Sequence, residues 1–103
     1  MKTIIIWDSL AEETKVVPAY LVGKHLAVHK MWYKQGARIP QYQVWTITLV
    51  RLGLSFVHCH QGLYKALQFA RALSTYPGWA DVYKGMKMPA ELHVIYSSNG
   101  YLA

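Results

Sequence analysis

Between Tyr42 and His60 apolar and polar positions alternate with period two, and the run Tyr42-Gln43-Val44-Trp45-Thr46-Ile47-Thr48-Leu49-Val50 is rich in aromatic and β-branched residues. That is the pattern of a half-buried strand. Arg51-Leu52-Gly53 interrupts it before Leu54 to His60 resumes, which predicts a hairpin whose three-residue loop is a type I turn followed by a left-handed glycine. In that register Val50 faces Leu54, Thr48 faces Phe56 and Thr46 faces His58. Trp45, Ile47, Leu49, Val57 and Cys59 then share the better core face. Tyr42, Val44, Thr46, Thr48, Phe56, His58 and His60 share the other. A two- or four-residue turn would instead place Phe56, His58 and His60 beside Trp45 and Ile47, because a slip of one residue exchanges the faces of a strand.

Upstream, Ile4-Ile5-Ile6 suits a short strand. Val16 to Val22 reads as another that stops at Gly23, with Pro18 pointing to an edge strand or a strand start. His25 to Lys34 reads as a third, bounded by Gly36 and Pro40. Downstream the period changes to that of a helix: Leu63, Ala66, Leu67, Ala70 and Leu73 form one stripe, Lys65, Gln68, Arg71 and Thr75 lie opposite, and Tyr76-Pro77-Gly78 marks the end. Trp79 to Pro89 reads as loop or a short helical turn, and Glu91 to Tyr96 as a possible short C-terminal strand. The expected architecture is a single α+β domain over residues 1–103: an antiparallel sheet of about four strands, in the order β-β-β-β-α, with one amphipathic helix packed on one face.

Composition narrows the class. With 53% hydrophobic and 16% charged residues, the chain is too apolar and too weakly charged for a disordered one. No run approaches the roughly 18 apolar residues of a membrane span, and the opening Met1 to Asp8 is too short for a secretory core. Cys59, the single cysteine, has no intramolecular disulfide partner, which is compatible with a reducing compartment. A cytoplasmic protein is the expectation.

Charge changes the picture more. The net charge is +6, and no acid occurs from Thr14 through Ala80, an interval that carries Lys15, Lys24, Lys30, Lys34, Arg38, Arg51, Lys65 and Arg71. A field of one sign attracts polyanions or acidic surfaces.

The run Phe56-Val57-His58-Cys59-His60-Gln61 raises the question of a metal. On a strand His58 and His60 project to one side about 6.5 to 7 Å apart while Cys59 points away, so the three are not one ligand set. His25 or His29 could add at most one donor, and no nearby carboxylate completes or orients a site. We therefore expect no bound metal and no cofactor. A Cys–His nucleophile pair needs thiol and imidazole in hydrogen-bond reach, which adjacent residues on opposite faces do not have. Cys59 reads as a small buried hydrophobe. Glycine-rich phosphate-binding motifs are absent, and no catalytic constellation assembles.

Nucleic-acid binding, to DNA or RNA, is the leading functional expectation. Lys30, Lys34, Arg38 and Arg51 would contact phosphates, and Tyr42, Phe56 and His58 on the face away from the helix would stack or hydrogen-bond. The order of elements in VWTITLVRLGLSFVHCHQGLYKALQFARAL resembles the three-stranded sheet plus helix of AP2-type and phage-integrase arm-binding domains. That resemblance implies a sheet laid in a DNA groove. The order is also similar to the strands-then-helix single-strand-binding coactivator fold, which implies a dimer. The competing class is a protein-interaction or inhibitor module, a homodimer or partner-binding protein, because Trp7, Trp32, Trp45 and Trp79 are more tryptophan than one small core easily buries. Trp32, Tyr33, Trp79 and Tyr83 are the candidate exposed anchors.

Overall fold

Five strands follow one another along the chain and lie side by side in that same order, each antiparallel to the next. They are β1 (Lys2–Asp8), β2 (Glu13–Val22), β3 (Leu26–Lys30), β4 (Trp45–Leu49) and β5 (Leu54–Cys59), followed by α1 (Leu63–Leu73), a 3₁₀ turn (Trp79–Asp81) and α2 (Ala90–Ser98). A computed structural model describes residues 2–8, 12–30, 45–59 and 61–99, without the side chains of Asp8 and His58. The α+β class, the antiparallel sheet and the helix on one sheet face are as the sequence predicts; where about four strands are expected, the described residues form five.

Pro18 illustrates how local chemistry limits pairing. It lies opposite Thr3 of β1, whereas the ladder from β2 to β3 runs only from Tyr20 to Val22. Its missing N–H therefore falls where β2 has no β3 neighbour, which is where a strand tolerates proline.

The β4–β5 connection differs from its expected form. Leu49 pairs with Leu54 and Thr48 with Ser55, so the loop holds four residues, Val50 to Gly53. Gly53 N–H donates to Leu49 O at 2.9 Å and Leu52 N–H to the same carbonyl at 3.2 Å, a single helical turn closed by Gly53 at φ 67°. The ladder then shifts between Thr48 and Ile47, and Ile47 pairs with Val57, Thr46 with His58 and Trp45 with Cys59. Phe56 is the extra residue of a β-bulge, which leaves it unpaired and bends the strand. The far half of the expected register survives because the bulge cancels the longer turn.

One side of the sheet is covered by the helices. Val28, Ile47, Leu49, Val57 and Cys59 meet Ala66, Phe69, Ala70 and Leu73 of α1 and Leu92 and Tyr96 of α2 in the main core. Small Ala66 and Ala70, both fully buried, let the α1 axis approach the strands. Lys65, Gln68 and Arg71 are exposed, as the helical period requires. Ser74 and Thr75 donate hydroxyl hydrogens to Arg71 O and Ala72 O at 2.6 and 2.7 Å, satisfying carbonyls at the helix end.

The segment expected as a C-terminal strand is α2. Leu92 and Tyr96 are buried, Ile95 is half-buried, and His93 and Val94 are exposed, a spacing of three and four that suits a helix and not a strand. Glu91 in its first turn is a favourable start signal, and Pro89 at the N-cap accepts from Leu92 N–H through its carbonyl at 3.0 Å. The β-branched and aromatic run Val94-Ile95-Tyr96 conceals the period, and packing decides it: the rings of Tyr96 and Phe69 of α1 meet edge-on at 5.2 Å.

The sheet also curls. Trp7 N–H of β1 donates to Gly53 O in the β4–β5 turn at 3.0 Å, bringing the first strand round to the far end of the sheet. Inside the curl Ile4, Ile6, Val17, Ala19 and Ala27 form a second core on the face turned away from α1.

Candidate interaction surface

The curl decides what the face away from the helix can do. Thr46, Thr48 and His29 on that face are 1%, 0% and 2% exposed, so among the described residues its centre is interior. The polar groups of His29 and Thr48 are used internally. The Lys30 carbonyl can only accept, so His29 donates through Nδ1 at 2.9 Å. In the neutral ring Nε2 then accepts from Thr48 Oγ1 at 2.7 Å, and Thr48 Oγ1 in turn bonds Ser55 Oγ at 2.8 Å. Pairing of this kind offsets the cost of burying polar groups.

Of the residues expected to bind nucleic acid, the three whose side chains are described, Lys30, Arg51 and Phe56, do not lie together. Lys34, Arg38 and Tyr42 lie outside the described residues, as does the His58 side chain; His60, Trp32 and Tyr33 lie outside them too. Lys30 is exposed, and its ammonium sits 5.8 Å from the centroid of the Trp45 ring. Arg51 lies in the turn beyond the opposite end of β4, a strand about 13 Å long over its four residue steps. Its guanidinium is engaged, donating from Nη2 to the carbonyls of Trp79 at 3.3 Å and of Val82. Arg51 therefore ties the β4–β5 turn to the segment beyond α1. Phe56, expected on the face away from the helix, is turned by the bulge onto the helix side, where its ring lies 5.3 Å from Trp79.

Trp79 is corrected in the same way. Expected as an exposed anchor, it is 3% exposed and donates its indole N–H to Leu73 O at 2.9 Å. Tyr83 is exposed as expected. Cys59 is fully buried in the main core. Among the described residues no three His, Cys, Asp or Glu side chains lie together as metal ligands, and no helix is long and apolar enough to cross a membrane.

The surface the sequence reading missed is the outward face of the β1–β2 ribbon. Ile5 lies directly opposite Val16, and Trp7 opposite Thr14. Ile5 is 60% exposed, Val16 69% and Trp7 42%, three large apolar side chains on one face of two paired strands. This face continues the side that α1 covers further along the sheet, but the helix does not reach it. Thr3-Ile4-Ile5-Ile6-Trp7 held the signal: with Ile4 and Ile6 inside, the odd positions of an unbroken apolar run must face outward. Beside the ribbon runs a groove of about 540 Å³ lined by Ile5, Trp7, Thr14, Arg51, Leu52 and Lys84, among others. Among the described residues its charged side chains, Arg51 and Lys84, are both cationic.

Comparison with protein-family models, with curated proteins and with solved structures finds no match. The reading of function rests on the surface itself.

Proposed function

We propose that this protein is a non-enzymatic interaction module that docks an acidic partner protein on the β1–β2 ribbon. The observation that carries this reading is the exposed cross-strand pair Ile5 and Val16 with Trp7 beside it. Adjoining apolar side chains left in water favour burial against a partner, and tryptophan is a common anchor of such contacts. The chemistry of the partner follows from the rim. Arg51 and Lys84 flank the groove, while the exposed acids Glu12 and Glu13 lie at the ribbon's tip. On a chain of net charge +6 an acidic surface is therefore attracted to the groove side, and a second copy is repelled by like net charge. Strand addition at the β1 edge is disfavoured because the outward N–H of Trp7 is already spent on Gly53 O.

Nucleic acid is the second reading, supported by the net charge and by exposed Lys24, Lys30, Lys65 and Arg71. Among the described residues the face expected to stack bases, with His29, Thr46 and Thr48 at its centre, is buried, which favours the first reading.

One experiment separates the two. A displayed random-peptide library is selected on the wild-type protein, and the winners are titrated against an Ile5→Thr/Val16→Thr variant whose net charge is unchanged. Peptides rich in Asp and Glu beside apolar residues, losing about tenfold or more in affinity to the variant, are the expected result. Equal binding to both proteins refutes the ribbon as the site. DNA or RNA oligonucleotides that bind both proteins alike, with log K falling linearly in log salt, establish the second reading. A mass that doubles with concentration for the wild type alone shows self-association.

A further inference from the structure

A second groove, of about 280 Å³, lies between β5 and the segment from Val82 to Pro89 and reaches α2. Its walls include Phe56, Trp79, Met86, Met88 and Leu92. Phe56 and Trp79 are held by the bulge and by the main core, and Arg51 fixes the start of the outer wall through the Val82 carbonyl. The groove is therefore a built feature of the fold. Among the described residues its charged lining side chains are Lys84 and Lys87, both exposed, and none is Asp or Glu.

We propose that this groove binds a small amphipathic carboxylate, a medium-length acyl chain whose head is held by Lys84 and Lys87. Apolar walls with a few polar groups at one edge are the usual make-up of small-molecule sites. Besides the lysines, Ser55, Tyr83 and Tyr96 bring polar side-chain groups to an otherwise apolar lining, which favours a mainly apolar chain. The two ammonium groups, unopposed by any carboxylate in the lining, select an anionic head over a neutral or cationic one. Volume sets the scale: at roughly 30 Å³ per water-sized group the space takes about nine non-hydrogen atoms, close to the ten of octanoate. Met86 and Met88, unbranched and polarisable, let the wall mould to the chain. This groove meets the ribbon groove at Leu52, Leu54 and Lys84, but the apolar patch of Ile5, Trp7 and Val16 is not part of its lining, so its failure would leave the docking proposal standing.

The test compares octanoate, 1-octanol and octylammonium, each below its aggregation concentration, by calorimetry and by NMR shifts of the Met86, Met88 and Leu92 methyl groups. Octanoate is expected to saturate with those methyl groups shifting together, and to bind about tenfold more tightly than either analogue. The Lys84→Gln/Lys87→Gln variant, altered only at exposed positions, is expected to lose that advantage while its weaker binding of octanol persists. No saturation, shifts confined to other residues, or equal binding of octanoate and octylammonium would each overturn the proposal.

Discussion

The ring of Phe56 lies 5.3 Å from that of Trp79 with the two planes tilted by 38°, on the side of the sheet that carries α1. Only a bulge can put it there, because strict alternation from Val57 and Cys59 would turn Phe56 to the other face. The contact links β5 to the 3₁₀ turn, and Tyr76 extends it by meeting Trp79 edge-on at 5.4 Å. Phe56→Ala should therefore destabilise the protein by about 2 to 4 kcal/mol, less than a fully buried phenylalanine because Phe56 is only half-buried. Urea denaturation with an unchanged slope would show this; a loss below about 0.5 kcal/mol would place the ring in solvent.

Gly53 meets two demands at once. Its φ of 67° suits a residue without a side chain, and a Cβ there would stand 3.1 Å from Ile5 O. Gly53→Ala is expected to cost about 1 to 2 kcal/mol from the backbone conformation alone. Asparagine tolerates that conformation but not the close approach. If Gly53→Asn were as stable as the wild type, β1 would not lie against this turn.

Thr48 sits between two partners in the face away from the helix, at 2.7 Å from His29 Nε2 and 2.8 Å from Ser55 Oγ. Thr48→Val keeps the shape and removes the hydroxyl from both, so a loss of about 1 to 3 kcal/mol is expected. The imidazole NMR signals of His29 should shift in the same variant. If neither stability nor those signals change, the chain of hydroxyls does not hold the ring.

Tyr96 is the buried side chain whose hydroxyl has no partner among the described residues. Burial raises its pKa from 10.0 to about 12. The unfolded chain thus ionises first, and stability present below pH 10 is lost as pH rises through about 12. Tyr96→Phe should flatten that part of the stability profile. The same change should leave the protein as stable as before at neutral pH, or slightly more so, since it removes an unsatisfied group. A marked loss at pH 7 would mean that the hydroxyl has a partner.

Sequence by itself determined the parts that depend on short-range periodicity. The alternation from Trp45 to Leu49 put Ile47 and Leu49 in the core, the stripe Ala66, Ala70 and Leu73 set the buried side of α1, and Gly53 marked the hairpin loop. Side-chain geometry along a strand or helix repeats every few residues, so such patterns are legible in one dimension. Tertiary structure alone decided the four-residue turn with its compensating bulge, the helical form of residues 90–98, and the curl that carries β1 round to Gly53. Those outcomes decided the surface as well: the curl and strand pairing buried the His29, Thr46 and Thr48 face and left Ile5, Trp7 and Val16 outside. The physical reason is that apolar side chains show which positions seek burial but not which partner covers them. That choice belongs to contacts between strands far apart in the chain, where the hydrogen bond from Trp7 to Gly53 joins residues that no local pattern connects.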